Sequence, residues 1–413
     1  MKLGCILGFN DLLYGYTTNC NILKLNKLMC KTEHNQEYKI ITYDKEVLNY
    51  DLVDSYGLCR SVIANSENKV VGFAPPKSFQ ADKFLELYPS PCEDIVAQEF
   101  IEGTMINVFF DSSIGIGGGW EIATRNNVGA MCGFYKSQSQ SQDPTKNREK
   151  KTFRAMFLEA AKENNLILEN LNPKLCYSFV LQHPDNIIVL PIRKPQLYLV
   201  AVYYIDNSDT NNISVFASDM EDSKDYWSTT NIKFPEVYEF SEYVELIDKY
   251  GSMNTSYDKL GVVLYNKKTG HRTKIRNPVY ESVKHMRGAQ SKLQFQYLAL
   301  RQKGKLYDFL RLFPENKKEF SLYRDQLYLF TNTLFQNYIS CYMKKEKPLK
   351  EYSPQYKTHM FRIHETYKNT LKPDNKYVTK QVVIDYVNNL EPSLIMRSLN
   401  YNHRLQMKDI VKE

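Results

Sequence analysis

The groups best suited to hold a phosphate follow one another closely past the middle of the chain: Lys274, Arg276, Lys284, His285, Arg287, Lys292 and Arg301. Lined along a groove, such cations bind a nucleic-acid backbone with little base preference, and their affinity falls as salt rises. Within RTKIRNPVY (272–280), alternation in a strand over 272–277 directs Lys274 and Arg276 to one face and Ile275 to the other. Tyr280, Phe295 and Tyr297 stand nearby, as faces for base stacking or as core. Upstream, AQEFIEGTMINVFFD (97–111) sets the polar turn Glu102-Gly103-Thr104 between two apolar runs. A site built on that turn would use the residue ahead of it, Phe100, and a phenyl ring is neither a nucleophile nor a ligand.

Other chemistries find little support. His34, His183, His271, His285, His359, His364 and His403 form no HExxH and no compact Cys/His spacing, so no metal site is expected. GIGGGW (115–120) lacks the GxxxxGK[ST] pattern and reads as a loop between strands. The eight cysteines are scattered without a CxxC, which implies reduced thiols in a cytosolic compartment. Fifty-four basic against forty-seven acidic side chains permit polyanion binding without demonstrating it. Neither a run of about eighteen apolar residues nor a signal-like start is present, so no membrane partner is expected.

The elements that must position these residues divide in two. Segments 67–76, 104–110, 176–181, 186–192, 197–205, 211–217 and 261–266 carry the Val, Ile, Phe and Tyr enrichment of strands. Residues 136–151 hold no apolar side chain and read as an exposed, mobile loop. After it, Phe153, Phe157 and Ala160 at helical spacing predict a helix over 152–165 that crosses the sheet. Past residue 285 the period changes: 293–313, 317–345 and 379–390 read as helices, punctuated by Pro348, Pro354 and Pro373. The expectation is an α+β chain, with an antiparallel-sheet domain over 1–285 and an α-helical domain over 286–413.

Six segments together carry a family resemblance: 56–79, FIEGTMINVFFD (100–111), WEIATR (120–125), YSFVLQHPDNIIV (177–189), LGVVLY (260–265) and RTKIRNPVY (272–280). In order and spacing they resemble the covalent nucleotidyltransferases, most closely the phage-type RNA ligase 1 family, which also occurs in large DNA viruses. The resemblance implies a ligase-type nucleotidyltransferase domain. In that family a lysine attacks the α-phosphorus of ATP, forming a phosphoramidate before AMP is passed to a 5′-phosphate.

The matching positions lack that machinery. In the K-x-D/E-G motif Phe100 stands for the lysine, ahead of Glu102 and Gly103; Val180 follows Phe179 where relatives carry a glutamate; Leu260 replaces the metal-binding glutamate before Gly261. Valine and leucine side chains give a hard divalent cation no oxygen. Basic matches persist: Arg60 and Lys77 ahead of the nucleophile motif, Arg125 where a cation serves the phosphates, and Lys274 and Arg276 in the last motif. Together with Glu102 and Gly103 these are the candidate nucleotide or phosphate contacts.

The resulting expectation is a catalytically inactive RNA-ligase-like protein that binds single-stranded RNA or other nucleic acid, or acts as a scaffold with viral proteins. No cofactor is expected. The alternatives are an ATP-dependent RNA ligase with an unconventional site, which would need ATP and Mg2+, and a purely structural protein-interaction module. The resemblance also implies a viral protein of the host cytoplasm or virion.

Overall fold

Alternation of apolar residues dictates the sheets. In β6 (Thr104–Asp111) Ile106 and Val108 point to one core while Phe109 points to another, as a period of two requires. A computed structural model describes residues 1–30, 32, 35–133, 151–209, 212–218, 224–288, 292–402 and 404–405. The chain divides into two compact units, Met1–His285 and Met286–Glu413. The first is rich in antiparallel sheet and the second in helix, so the expected α+β class holds. The expected loop at 136–151 lies outside the described residues except for Lys151.

Three antiparallel sheets build the first unit. One runs β1 (Leu23–Met29), β2 (Glu37–Tyr43), β3 (Val62–Ala64), β4 (Val70–Phe73) in that order. The second contains β6, β7 (Gly119–Thr124), β8 (Asn127–Val128), β9 (Leu175–Gln182), β10 (Gln196–Asp206) and β11 (Ser214–Ala217), ordered β11-β10-β9-β6-β7-β8. The third joins β5 (Ile95–Glu99), β12 (Val237–Tyr238), β13 (Gly261–Asn266) and β14 (Arg272–Arg276) in the order β12-β5-β13-β14.

Each sheet buries a face. The first packs on α1 (Phe9–Tyr14) and shares a core with Phe109, Ala123 and Tyr203 of the second. The expected crossing helix is α3 (Phe153–Glu163), whose Phe153, Met156, Phe157 and Ala160 cover Ile106, Phe179 and Leu181; Thr152 caps it by accepting from Ala155 N–H at 3.2 Å. Burying a side chain such as Phe157 or Phe179 stabilises by roughly 1.5–3 kcal/mol. The third sheet is covered by Phe84 of α2 (Ala81–Leu87) and by Tyr243, Leu246 and Tyr250 of α5 (Tyr243–Tyr250). Two further helices, α4 (Lys224–Ser228) and α6 (Pro278–Arg287), complete the α-helices that begin among the described residues of this unit.

Two expectations are corrected. Segment 186–192 is not a strand, because the N–H groups of Val189 and Leu190 go to the Glu102 carboxylate instead of a ladder, and Pro191 has no N–H to give. Segment 293–313 is two helices, α7 (Leu293–Gln302) and α8 (Leu306–Leu312), separated at Gly304, which adopts φ +66°.

The helical unit is organised on α9 (Lys317–Tyr338), which buries Phe320, Leu327, Phe330, Leu334 and Tyr338 at helical spacing and continues as a π-helical turn over Ile339–Met343. Around it lie α10 (Pro354–Thr366), α11 (Lys380–Asn388) and α12 (Pro392–Leu399). His359 of α10 ties three helices together: Nδ1 meets the Tyr386 hydroxyl and Nε2 the Ser398 hydroxyl, each at 2.9 Å. Burial holds this imidazole down to about 4, so it is neutral at physiological pH.

Candidate functional site

The turn after β5 is fixed from inside the fold. Glu102 is 2% exposed, and its carboxylate accepts from Val189 N–H at 3.1 Å, Leu190 N–H at 3.0 Å and the Tyr280 hydroxyl at 2.6 Å. Gly103 follows with φ +153°, and a Cβ there would lie 2.5 Å from the Leu181 carbonyl oxygen and 2.6 Å from Val180 Cγ1. Both residues therefore serve the framework: Glu102 clamps the turn, and Gly103 lets it lie against β9. Tyr280, 2% exposed, belongs to the core and offers no face for stacking.

Phe100 leaves β5 one residue beyond the last pairing of that strand with β13, Glu99 with Val262. Leu260 sits just ahead of β13, 7% exposed, its carbonyl accepting from Asn277 N–H at 3.0 Å. The following Gly261 is held so close to β14 that a Cβ would lie 2.0 Å from the Ile275 carbonyl oxygen. Val180, also 7% exposed, sits in β9 between Met105 of β6 and Tyr198 of β10, against the Gly103 turn. Phe100, Val180 and Leu260 thus line the turn and its neighbouring strand ends with hydrocarbon.

Cations surround this apolar floor. Lys274 Nζ stands 4.4 Å from the centre of the Phe100 ring, and the Arg276 guanidinium 5.8 Å from it. Alternation along β14 explains the placement: Thr273 and Ile275 are buried, while Arg272, Lys274 and Arg276 share the other face. Burial, reinforced by Arg272, Arg60, Arg276 and Lys284, pushes the Lys274 ammonium down to about 6. Arg60 is lowered to about 10 by burial first and then by Arg272 and Arg125, and remains charged at neutral pH.

The cluster continues across the first sheet. Arg125 donates from Nε to the Arg60 carbonyl at 3.2 Å and lies 4.8 Å from the Tyr43 ring centre, while Ser61 Oγ donates to the Arg125 carbonyl at 2.8 Å. Lys77 Nζ lies 5.8 Å from the rings of Tyr43 and Tyr50, its ammonium lowered by burial, Arg125 and Arg60. Arg60, Lys77, Arg125, Lys274 and Arg276, scattered in sequence, are therefore brought together.

Sequence reading missed Arg272, although its place two residues before Lys274 in β14 was the signal. Burial lowers its guanidinium, and its buried Nε has no hydrogen-bond partner among the described residues. Among the described residues, an ion pair reaches this set only at Arg276, which meets Glu281 at 2.7 Å. Like charges packed without carboxylates are a poor structural device and a good anion site.

The donors do not fit the divalent metal of nucleotidyl transfer. Val180 and Leu260 offer no oxygen, and among the described residues no group of three His, Cys, Asp or Glu side chains could hold a metal ion. Two histidines of the first unit serve the fold: His183 Nδ1 accepts from Asp185 N–H at 3.0 Å, and His271 lies between Asp54 at 2.6 Å and the Tyr88 hydroxyl at 2.9 Å. His34 and His403 lie outside the described residues. Of the basic run past residue 270, Lys274, Arg276, Lys284 and His285 belong to the first unit, whereas Arg287, Lys292 and Arg301 belong to the second.

No family model matches the chain. An RNA ligase of Rhodothermus phage RM378 is 23% identical over 207 residues, 47% of this chain and 41% of that protein. The chain thus matches about two-fifths of that relative's length, a distant relation at the level of the RNA-ligase and nucleotidyltransferase superfamily. Among solved structures, the Naegleria gruberi RNA ligase with PPi gives a TM-score of 0.35 at 12% identity, covering 59% of this chain and 64% of that one. An apo aspartate-to-alanine variant of the same ligase gives 0.34 at 8% identity, with 64% and 93% covered.

Proposed function

We propose that this chain is an RNA-ligase-like protein without nucleotidyl-transfer activity, in which the cationic surround of a lost catalytic centre binds the phosphates of single-stranded nucleic acid. The observation that carries the reading is a run of neighbouring cations, Lys274 and Arg276 against the Phe100 ring, Arg272 and Arg60 acting on Lys274, and Arg125 and Lys77 beside Arg60, with an acidic partner only at Arg276 among the described residues. Phosphate contacts need fixed cations and no nucleophile, so they survive replacement of the lysine, whereas phosphoramidate formation does not. The distant likeness to a phage RNA ligase supports nucleic acid as the polyanion and a viral setting for the protein.

One observation favours a second reading, ATP-dependent ligation through a substitute nucleophile. Lys274, held to about 6 beside Phe100, is a mostly unprotonated amine at neutral pH. Incubation with α-labelled ATP and Mg2+ or Mn2+, followed by denaturing electrophoresis and peptide mapping, separates the two. The inactive reading expects no covalent label; stoichiometric acid-labile label on Lys274 or any other lysine overturns it.

A further inference from the structure

A basic cavity lies wholly within the helical unit. It measures about 200 Å³ and is formed where three helices present rows of side chains spaced four residues apart. Tyr297 and Arg301 come from α7, Arg324, Tyr328 and Asn332 from α9, and Lys380, Ile384 and Asn388 from α11. No carboxylate is among the lining residues. Its cations are arranged differently from one another: Arg301 is partly buried and donates to the Asn388 side chain, whereas Arg324 pairs with the adjacent, exposed Asp325 at 3.0 Å. Lys380 Nζ lies 5.4 Å from the centre of the Tyr328 ring, and Tyr328 is 64% exposed.

These features specify a ligand. Three cations without a lining acid select an anion, and guanidinium forks match phosphate oxygens. An anion alone needs no exposed aromatic face. Tyr328 supplies one, and Leu327 with Ile384 adds an apolar flank. The Asn332 and Asn388 amides add donors and acceptors to the lining.

We infer that this cavity binds one phosphorylated nucleotide unit of a single-stranded nucleic acid, its phosphate on Arg301, Arg324 and Lys380 and its base on Tyr328. The inference takes its ligand class from the proposed function, but its residues are separate from those around Phe100.

The test uses the full chain and a 5′-phosphorylated oligouridylate carrying 4-thiouridine, photocrosslinked and mapped by mass spectrometry. Crosslinks are expected in the α9 segment holding Tyr328, as well as around Phe100. Arg324→Glu/Lys380→Glu should remove the α9 crosslinks, weaken binding about tenfold or more, and leave those of the sheet unit. Tyr328→Phe should retain binding, whereas Tyr328→Ala should weaken it about tenfold. Crosslinks confined to the sheet unit overturn this inference alone and leave the proposed function standing. Absence of any RNA binding overturns both. Equal competition by polyglutamate and oligouridylate for the α9 segment would make it a site for acidic polypeptide and also overturn the inference.

Discussion

Two charged regions of the sheet unit obey opposite rules. Glu121 is fully buried, yet it is paired with Arg154 and accepts from Ile122 N–H and the Thr32 hydroxyl, both at 2.9 Å. In the cluster that reaches Phe100, Arg276 alone meets a carboxylate, that of Glu281, and burial lowers Arg60, Arg272 and Lys274 without a carboxylate partner for any of these three among the described residues. A buried charge that serves the fold comes with its counterion, whereas one that serves a ligand leaves the counterion to be supplied.

The largest expected effect breaks this contrast from the structural side. Arg154→Ala leaves the Glu121 carboxylate buried and uncompensated, and should cost about 3–5 kcal/mol in urea unfolding. Arg60→Met removes an unpaired cation instead, and should leave stability unchanged or raise it by about 1–3 kcal/mol. Comparable destabilisation by both substitutions would erase the distinction.

His359 extends the comparison to the helical unit as a buried titratable group whose partners are neutral. Its folded value of about 4 lies below the ordinary histidine value, so the unfolded chain takes up the proton first as pH falls. Its contribution is present above about 6.5 and is lost as pH drops towards 4, at most about 3 kcal/mol. Urea midpoints of the wild type and His359→Gln between pH 7 and pH 4 check this, the variant losing less over that window.

Restoring one catalytic group sharpens the comparison differently. Phe100→Lys returns an amine but leaves Val180 and Leu260 without metal-binding oxygens, and it adds a like charge beside Arg276. No joining of a 5′-phosphorylated RNA to a 3′-hydroxyl end is expected from this variant; turnover in that assay would show that the other two positions had been misassigned. The triple substitution with Val180→Glu and Leu260→Glu is the comparison arm.

The last effect is a proton linkage. An arriving phosphate raises the depressed Lys274 ammonium back towards its ordinary value, so binding takes up a proton above about pH 6. Affinity for single-stranded RNA should therefore strengthen by up to about tenfold per pH unit as pH falls from 8 towards 6. Lys274→Ala should flatten that dependence, as read by fluorescence anisotropy.

Much of the fold was legible because alternation and helical periodicity are local. The strands near 104–110, 176–181, 197–205 and 261–266, and the helices α3 and α11, follow from pattern alone. Segment 186–192 was not legible, since its apolar residues look like a strand and only Glu102, distant in sequence, explains why its donors are used elsewhere. The break at Gly304 was visible but outweighed by the apolar period on either side of it. Within the site, the hydrocarbon at Phe100, Val180 and Leu260 could be read directly. That Glu102 clamps the turn, and that Arg272 joins the cluster, depended on three-dimensional neighbours.

The central claim is that phosphate binding outlived the chemistry at one site. Titration of labelled single-stranded RNA into wild type and a folded Lys274→Ala/Arg276→Ala variant, at several salt concentrations, tests it most directly. The account predicts weaker binding for unrelated sequences alike, and a salt dependence shallower by about 1.4 in log–log slope for two lost contacts at about 0.7 each. Equal affinity and equal slope for the two proteins would contradict it.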